Sequence, residues 1–399
     1  MPLDQLPQPA SLFAPLSEQP LDAMLTLLNA LRGDTRPGKI DLGIGVYRND
    51  RNQTPVMRAV KAAEAHLVAT QDSKDYISPE GDMGYIAHLA PVVFGEAGAR
   101  EARRLGMQTP GGTAALRLAA ALIGRANPQA RVWISQETWP NHALLMHAAD
   151  LQVVDHPYFD RASQTVQFDA MMSAMEAARP GDVWLLQACC HNPTGADLTP
   201  DQWRAVAALA ARKGLIPLID MAYQGLGHSL DDDAAGMRMV IDAVPEAFVA
   251  VSGSKNFGLY RDRVGALWLQ ADTAATARRA RSNLIVLART LWSMPPDHGA
   301  AVVRTILSDH ALTAMWRSEL DEMRRRIQTL RAGLAAALPS LGAIARQNGM
   351  FSLLPLDRDE VLRLRADHAI YMLKSGRINI AGLQSANLPV LCTALRPYL

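Results

Sequence analysis

The chain has 399 residues, with 40 basic and 39 acidic side chains and a formal net charge of +1. This length predicts two or three domains with ample core, and the even charge mixture gives no electrostatic case for binding nucleic acid or a membrane surface. The N-terminus lacks a signal-peptide pattern and no stretch offers about 20 uninterrupted apolar residues, so neither secretion nor membrane insertion is indicated.

The cysteines are few: Cys189, Cys190 and Cys392. None has the spacing of a zinc ligand set or a redox motif, so we expect no metal site and three buried packing residues. This usage fits a reduced, cytoplasmic setting. Small-molecule chemistry is therefore the default expectation for the chain.

Along the chain, residues 1–20 contain several prolines and predict an extended N-terminal arm. Short apolar runs that alternate with alanine-rich helices follow. Their near-continuous hydrophobicity predicts strands buried on both faces, as in a mainly parallel sheet covered by helices. The predicted strands are 131–135, 182–186, 215–220, 248–252 and 264–269. Between two of them, Thr199-Pro200-Asp201-Gln202 predicts a helix start with a capping box.

The C-terminal third of the chain has a different pattern. An apolar 3–4 periodicity from Ala311 to about Leu338 predicts one long helix that joins two domains. The remainder, 341–399, has a helical segment at 359–367 and short strands near 350–353 and 377–380. We expect a small α+β domain there.

Two polar residues stand at the ends of predicted strands. Lys255 closely follows the apolar run 248–251, and Asp220 ends the run 215–219. A buried lysine loses solvation of its charged form, so its pKa falls and the neutral amine can form a Schiff base with an aldehyde. A single lysine at a strand end is, however, more often solvated.

The ends of neighbouring strands border the ligand crevice of an open α/β sheet, so Asp220 and Lys255 can face one molecule. A pyridine-containing aldehyde would use both, the amine as imine partner and the carboxylate to keep the ring nitrogen protonated. Pyridoxal phosphate is such a molecule. Gly111-Gly112-Thr113 opens a helical segment and predicts a phosphate site, although a lone Gly-Gly-Thr is more often an ordinary turn.

Seven segments, taken in order, resemble the class I aspartate/aromatic aminotransferases, and the resemblance extends from about Leu21 to Leu395. The segments are 42–47 (LGIGVY), 109–113 (TPGGT), 139–142 (WPNH), 191–195 (HNPTG), 220–225 (DMAYQG), 252–258 (SGSKNFG) and 375–379 (SGRIN).

The resemblance implies an α/β fold, the pyridoxal-phosphate-dependent transferase fold type I, with a mainly parallel seven-stranded sheet and a smaller α+β domain. It divides the chain into an arm (1–20), a first part of the small domain (21–45), a large cofactor-binding domain (46–310) and the interdomain helix with the rest of the small domain (311–399). It also implies a homodimer with shared active sites, in which the arm lies across the partner.

The resemblance assigns the cofactor site. Phosphate partners beside Gly112 and Thr113 would be Ser252, Arg263 and, from the other subunit, Tyr76. The ring would stack on Trp139, and its hydroxyl oxygen would contact Asn192 and Tyr223. His142 would hydrogen-bond the carboxylate of Asp220, although a lone histidine is more often a satisfied structural group.

For the reaction, Lys255 would carry a proton from the substrate's α-carbon to the cofactor's C4′ carbon, as general base and then acid, in a ping-pong cycle. Arg377, assisted by Gly45 and Asn192, would bind the α-carboxylate. Arg289, separated from Pro295-Pro296 by five residues, would cross the dimer to the distal carboxylate of an acidic substrate. Otherwise it is one more cation in a basic helix.

Substrate preference depends on departures from the family pattern. Leu291, Trp292 and Met294 stand where aspartate enzymes place more polar residues, and Gln187 stands where many members carry a histidine. These residues favour an enzyme that accepts aromatic as well as acidic amino acids, with 2-oxoglutarate as acceptor. Strict aspartate transfer is the alternative, because Arg48, Thr54 and Asp75 keep the rim polar.

Two alternatives lie outside aminotransfer. A regulator that binds the cofactor without turnover would need an added DNA-binding segment, which the short neutral arm does not supply. Decarboxylation or α,β-elimination would use the same cofactor. The pair Arg289 and Arg377 argues against them, because it predicts recognition of dicarboxylates.

Overall fold

The structure is a computed structural model that describes residues 11–19 and 22–399. Most of the predicted arm therefore lies outside the described residues. The strands of the described part are β1 (Ile40–Asp41), β2 (Arg104–Thr109), β3 (Arg131–Ser135), β4 (Gln152–His156), β5 (Phe159–Asp160), β6 (Thr165–Val166), β7 (Val183–Gln187), β8 (Ile216–Met221), β9 (Ala247–Ser252), β10 (Gly265–Gln270), β11 (Phe351–Leu353), β12 (Ile370–Tyr371) and β13 (Arg377–Asn379).

Helices alternate with these strands through most of the chain. They are α1 (Ala23–Gly33), α2 (Arg58–Thr70), α3 (Met83–Gly98), α4 (Gly111–Ala126), α5 (Asn141–His147), α6 (Phe168–Met175), α7 (Pro200–Lys213), α8 (Leu230–Ala243), α9 (Ala274–Leu291), α10 (Asp297–Ser308), α11 (His310–Ala337), α12 (Arg358–His368) and α13 (Leu388–Leu395), with short 3-10 turns at Pro339–Arg346, Ile380–Gly382, Ser385–Asn387 and Arg396–Tyr398.

The central sheet has seven strands in the order β2-β10-β9-β8-β7-β3-β4. Strand β10 runs antiparallel to both of its neighbours, and the other pairings are parallel. The predicted mainly parallel α/β sheet is thereby confirmed, and each of its five predicted strands begins within one residue of the observed start. The two edge strands, β2 and β4, were not predicted, because their alternating polar residues obscure the apolar signal.

The position of the ligand site follows from a reversal in the strand order of the central sheet. The chain runs outward from β3 to β4, then returns to β7 on the other side of β3 and continues through β8 to β9. Ligands of open α/β sheets bind at such a switch, beyond the carboxyl ends of the strands. Helix α7 provides the crossover from β7 to β8, and its predicted capping box between Thr199 and Gln202 is present.

The N-terminal and C-terminal segments pack together. Strand β1 pairs with β12 in parallel, and Leu27 of α1 packs with Ala369 and Tyr371. Long helix α11 follows the prediction closely, and its Trp316 stacks on Phe257 at 4.4 Å and donates to the carbonyl of Asn256. The helix is thus fixed to the segment that carries Lys255. The domain limits at 45/46 and 310/311 stay predictions.

Two further expectations concern the whole chain. The three cysteines are free and buried, as expected of packing residues. Among the described helices, none is both long enough and apolar enough to cross a membrane.

Candidate active site

A cavity of about 200 Å³ opens at the carboxyl ends of the central strands and at the N-terminus of α4. Most of the residues singled out from the sequence lie in its wall. These are Gly45, Gly112, Thr113, Trp139, Asn192, Asp220, Tyr223, Ser252, Lys255, Arg263 and Arg377. Gln187, which the sequence analysis named for substrate preference, also lies in the wall. Residues that the tertiary structure brings there in addition are Met24, Leu116, Ala222, Ser254 and Phe351.

One end of the cavity is built to receive an anion. Helix α4 begins at Gly111 without a side-chain cap, so its first amides are free for a ligand. Gly111 has a φ of +80°, and a Cβ there would lie 2.7 Å from Arg263 Nη2. A Cβ on Gly112 would lie 3.1 Å from the Cβ of Ser252. The glycines therefore keep open a space that amides, a hydroxyl and a guanidinium surround.

The opposite wall carries a buried carboxylate. Asp220 is 8% exposed, and its Oδ2 lies 2.9 Å from Nε2 of the fully buried His142. Nδ1 of His142 lies 2.7 Å from the hydroxyl of Thr138. The structure thus shows the contact between His142 and Asp220 that the resemblance implied, and it adds Thr138 behind them.

A second polar group lies beside this carboxylate. Asn192 Nδ2 donates to the hydroxyl of Tyr223 at 3.4 Å, and Asn192 Oδ1 accepts from Arg377 Nη1 at 3.4 Å. Burial, and to a lesser extent the charge of Asp220, raise the pKa of Tyr223. Its phenol is therefore protonated at neutral pH and can donate a hydrogen bond into the cavity.

Lys255 lies in the same wall, with Nζ 5.2 Å from the centroid of the Tyr223 ring. In the described part of the chain, no hydrogen bond or ion pair of Nζ is present. Burial lowers the pKa of Lys255; the carboxylate of Asp220 opposes this shift and the Arg263 guanidinium adds to it. The amine is thus held closer to its neutral, nucleophilic form than a surface lysine.

Arg377 supplies an anion site at the other side of the cavity. Its Nη2 donates to the carbonyl of Gly43 at 2.9 Å, and its guanidinium lies 4.5 Å from the centroid of the Phe351 ring. Its Nε is buried with no hydrogen-bond partner among the described groups. Burial lowers the pKa of Arg377, and the guanidinium of an arginine stays charged in proteins. A buried guanidinium without a carboxylate partner fits an anionic ligand.

Three predicted site residues do not line this cavity: His142, which contacts Asp220 from within the protein, and two surface residues, Tyr76 and Arg289. Tyr76 is 93% exposed, and Arg289 is exposed near the end of α9. Their segments touch, because the amide of Ile77 donates to Met294 Sδ at 3.1 Å. The segments that carry the two side chains are therefore neighbours in a single chain.

Sequence reasoning missed several contacts of the site. Phe351 packs edge-on against Tyr223, with centroids 5.9 Å apart, and stacks under Arg377. Its position in a short predicted strand gave no hint of this role. Met24 comes from α1, far away in the chain, and no local pattern connects it with the cavity.

Fold and site together define an α/β enzyme with a buried amine, a buried carboxylate and two anion sites. The family model for aminotransferase class I and II matches residues 37–395, and the chain belongs to this family. It is 53% identical to a tyrosine aminotransferase of Rhizobium meliloti (strain 1021), over 94% of this chain and 97% of that protein.

Two further comparisons cover nearly the whole chain. An aspartate aminotransferase of Salmonella typhi is 43% identical, over 96% of this chain and 99% of that protein. A solved structure of an aromatic-amino-acid aminotransferase from Burkholderia pseudomallei, covalently bound to pyridoxal phosphate, has a TM-score of 0.95 and 39% identity, covering 98% of this chain and 100% of that chain.

Proposed function

We propose that the chain uses pyridoxal phosphate to move the amino group of aromatic and acidic L-amino acids to 2-oxoglutarate. The observation that carries this proposal is the convergence of Lys255, the Asp220–His142 pair and Arg377 on one cavity. The residues present fit the cofactor: the uncapped start of α4 with Ser252 and Arg263 suits its phosphate. Trp139 and the carboxylate of Asp220 suit its protonated ring.

Each side chain has a role that its surroundings support. When bound, pyridoxal phosphate supplies a conjugated ring that accepts the electron pair released at the substrate's α-carbon. Neutral Lys255 Nζ would accept the α-proton, hold it as an ammonium and then deliver it to a different carbon from the one it left. Asp220 would hold a proton on the ring nitrogen, and the Tyr223 hydroxyl with Asn192 Nδ2 would donate to the ring oxygen.

Substrate binding would begin at Arg377. Its unpartnered Nε and its Nη groups can bind an α-carboxylate, and the Gly45 amide and Asn192 would assist. The Phe351 ring beneath the guanidinium keeps it in this position. This arrangement would serve every amino acid substrate, because each one carries an α-carboxylate.

The side chains of acidic and aromatic substrates would be distinguished away from Arg377, in the region of Arg289. Leu291 is 41% exposed and Met294 is half-buried, and the two follow Arg289 closely in the chain as an apolar border. In a homodimer with shared sites, this apolar border would receive an aromatic ring while Arg289 would bind a distal carboxylate. Arg48, one of the residues expected to keep the rim polar, pairs with Asp41 at 2.7 Å and does not line the described cavity.

Product analysis tests the reaction. The purified protein, loaded with pyridoxal phosphate, is mixed with L-phenylalanine or L-aspartate without any oxo acid. We expect about one equivalent of the matching oxo acid per subunit from each amino acid, as in the first half of a ping-pong cycle. Oxo acid from aspartate alone would favour strict aspartate transfer. Carbon dioxide released from L-phenylalanine, or ammonia released from either amino acid, would refute aminotransfer.

Mixing two inactive variants tests the shared site. In Lys255→Ala each subunit lacks its amine, and in Arg289→Ala each lacks the cation that we propose it lends to its partner. A mixed dimer has one site without either change, so random exchange of subunits restores about a quarter of wild-type aspartate activity. No recovery after proven exchange, or an active monomer, would refute the shared site. The cytoplasmic location stays a prediction.

A further inference from the structure

The side-chain amide of Gln187 is held in one orientation by the protein backbone. Gln187 ends β7, in register with Asp220 on β8, and lines the cavity. Its Oε1 accepts from the Asn192 amide at 2.9 Å, and its Nε2 donates to the Asn192 carbonyl at 3.0 Å. An NH₂ group only donates and a carbonyl oxygen only accepts, so this pairing decides which end of the amide faces the site.

The same NH₂ group begins a chain of hydrogen bonds that runs through Thr138 and His142 to Asp220, and we call this chain the relay. Gln187 Nε2 lies 3.4 Å from Thr138 Oγ1, which lies 2.7 Å from His142 Nδ1. Because Gln187 can only donate here, the Thr138 oxygen accepts, and its own hydrogen is left for Nδ1. An Nδ1 that accepts is unprotonated, so neutral His142 carries its proton on Nε2, 2.9 Å from the carboxylate.

We propose that Gln187 is a positioning residue that selects, through Thr138, the form of His142 that donates from Nε2 to Asp220. The Thr138 hydrogen has no other acceptor among the described residues, so it is directed at Nδ1. The catalytic consequence of this selection rests on the proposed function, in which His142 would hold the carboxylate of Asp220 in the orientation that the ring nitrogen of the cofactor requires.

Gln187 also braces the turn before Asn192, so the test must separate bracing from relay. Thr138→Val removes the hydroxyl but keeps the pairing of Gln187 with the Asn192 backbone. Thr138→Ser restores a hydroxyl and is the matched control. In Gln187→Glu, a carboxylate oxygen, which only accepts, faces Thr138. The Thr138 hydroxyl then donates to the glutamate and accepts from Nδ1–H of His142, which reverses the direction of the relay.

The readout is the position of the proton on His142, observed by ¹⁵N NMR of cofactor-free protein with labelled histidine. The signal is assigned from its loss in His142→Asn. We expect Nε2–H in wild type and in Thr138→Ser, and predominantly Nδ1–H in Gln187→Glu. In Thr138→Val, loss of one hydrogen bond should change the ratio of the two forms about fivefold toward Nδ1–H.

A second readout is the affinity of each variant for pyridoxal phosphate, for which we expect a loss of about fivefold in Thr138→Val and none in Thr138→Ser. An unchanged proton position in both Thr138→Val and Gln187→Glu, or Nδ1–H in wild type, would overturn the relay. The NMR experiment needs neither cofactor nor substrate. Absent aminotransfer would therefore refute the proposed function and leave the relay standing.

Discussion

Replacing Arg377 with lysine separates positive charge from the geometry of the guanidinium. The arginine donates to Gly43 and Asn192, stacks on Phe351, and keeps Nε unpartnered. A lysine ammonium would retain the charge but would lose the planar fork and the stacking surface. One charge-assisted hydrogen bond contributes about 1.5–3 kcal/mol, and a partly desolvated cation–ring contact about 0.5–2 kcal/mol. Because the contacts are not additive, we expect a loss of about 2–4 kcal/mol.

This loss corresponds to a fall of about 30-fold to 1000-fold in kcat/KM. Single-turnover rates with L-aspartate and L-phenylalanine should fall by similar factors, because both carry the α-carboxylate. The slower reaction of 2-phenylethylamine, which has no carboxylate, should change less than about threefold. Arg363→Lys is the matched control, since Arg363 also stacks on a ring, that of Tyr398, but is exposed. An equal loss with 2-phenylethylamine would refute the assignment of Arg377 to the carboxylate.

The remaining predictions concern the amine, the anion site and the core. Burial lowers the pKa of Lys255, so its labelling by an amine reagent in cofactor-free protein should have a midpoint below the ordinary 10.5; a midpoint at or above 10.5 would contradict the proposed nucleophile. Gly111→Ala places a Cβ at a φ of +80°, at a cost of about 1–2 kcal/mol, and should weaken pyridoxal phosphate binding about tenfold but pyridoxal binding far less. Gly342→Ala, with open space around its Cβ, is the control, and equal losses for both ligands would exclude a phosphate role. Burial holds the pKa of His191 well below 6.5. Just below pH 6.5, its imidazole therefore takes up a proton in the unfolded chain but not in the folded one. The free energy of unfolding should therefore decrease by up to about 1.4 kcal/mol for each unit by which the pH is lowered below 6.5, measured by urea unfolding. His191→Gln should flatten this slope, whereas exposed His310→Gln should not; equal slopes would refute the assignment.

How far the sequence predicted the molecule depended on whether the signal was local. The central strands are continuous apolar runs. Asp220 and Lys255 were recognisable because a charged side chain at the end of a buried run loses solvation, which proteins rarely accept without a functional role for that side chain. The edge strands β2 and β4 have no such run and were missed. Residues such as Trp139 and Arg377 were assigned by the resemblance, since no local pattern distinguishes them from ordinary core or surface residues.

Other parts of the site depend on tertiary contacts that no local pattern encodes. Thr138 has chemical meaning only because β3 and β7 are neighbours, which brings its hydroxyl between Gln187 and His142. Phe351 reaches the cavity because Arg331, buried in α11, donates to the carbonyls of Gly349 and Phe351 and fixes that segment. Such roles follow from topology and could not be predicted from residue type or spacing.

The charged groups of the cavity favour a ligand with two separate anionic groups. Arg263 and Arg377 both line the cavity, and neither forms an ion pair with a carboxylate among the described residues, whereas Asp220 is the carboxylate of the cavity wall and already accepts from His142. Lys255, with its lowered pKa, adds less positive charge than a surface lysine would. Two separated guanidinium groups are most stable beside two separated anions, and a phosphate and a carboxylate provide them. Binding energy at the two anion sites can thus orient a ligand relative to the amine of Lys255.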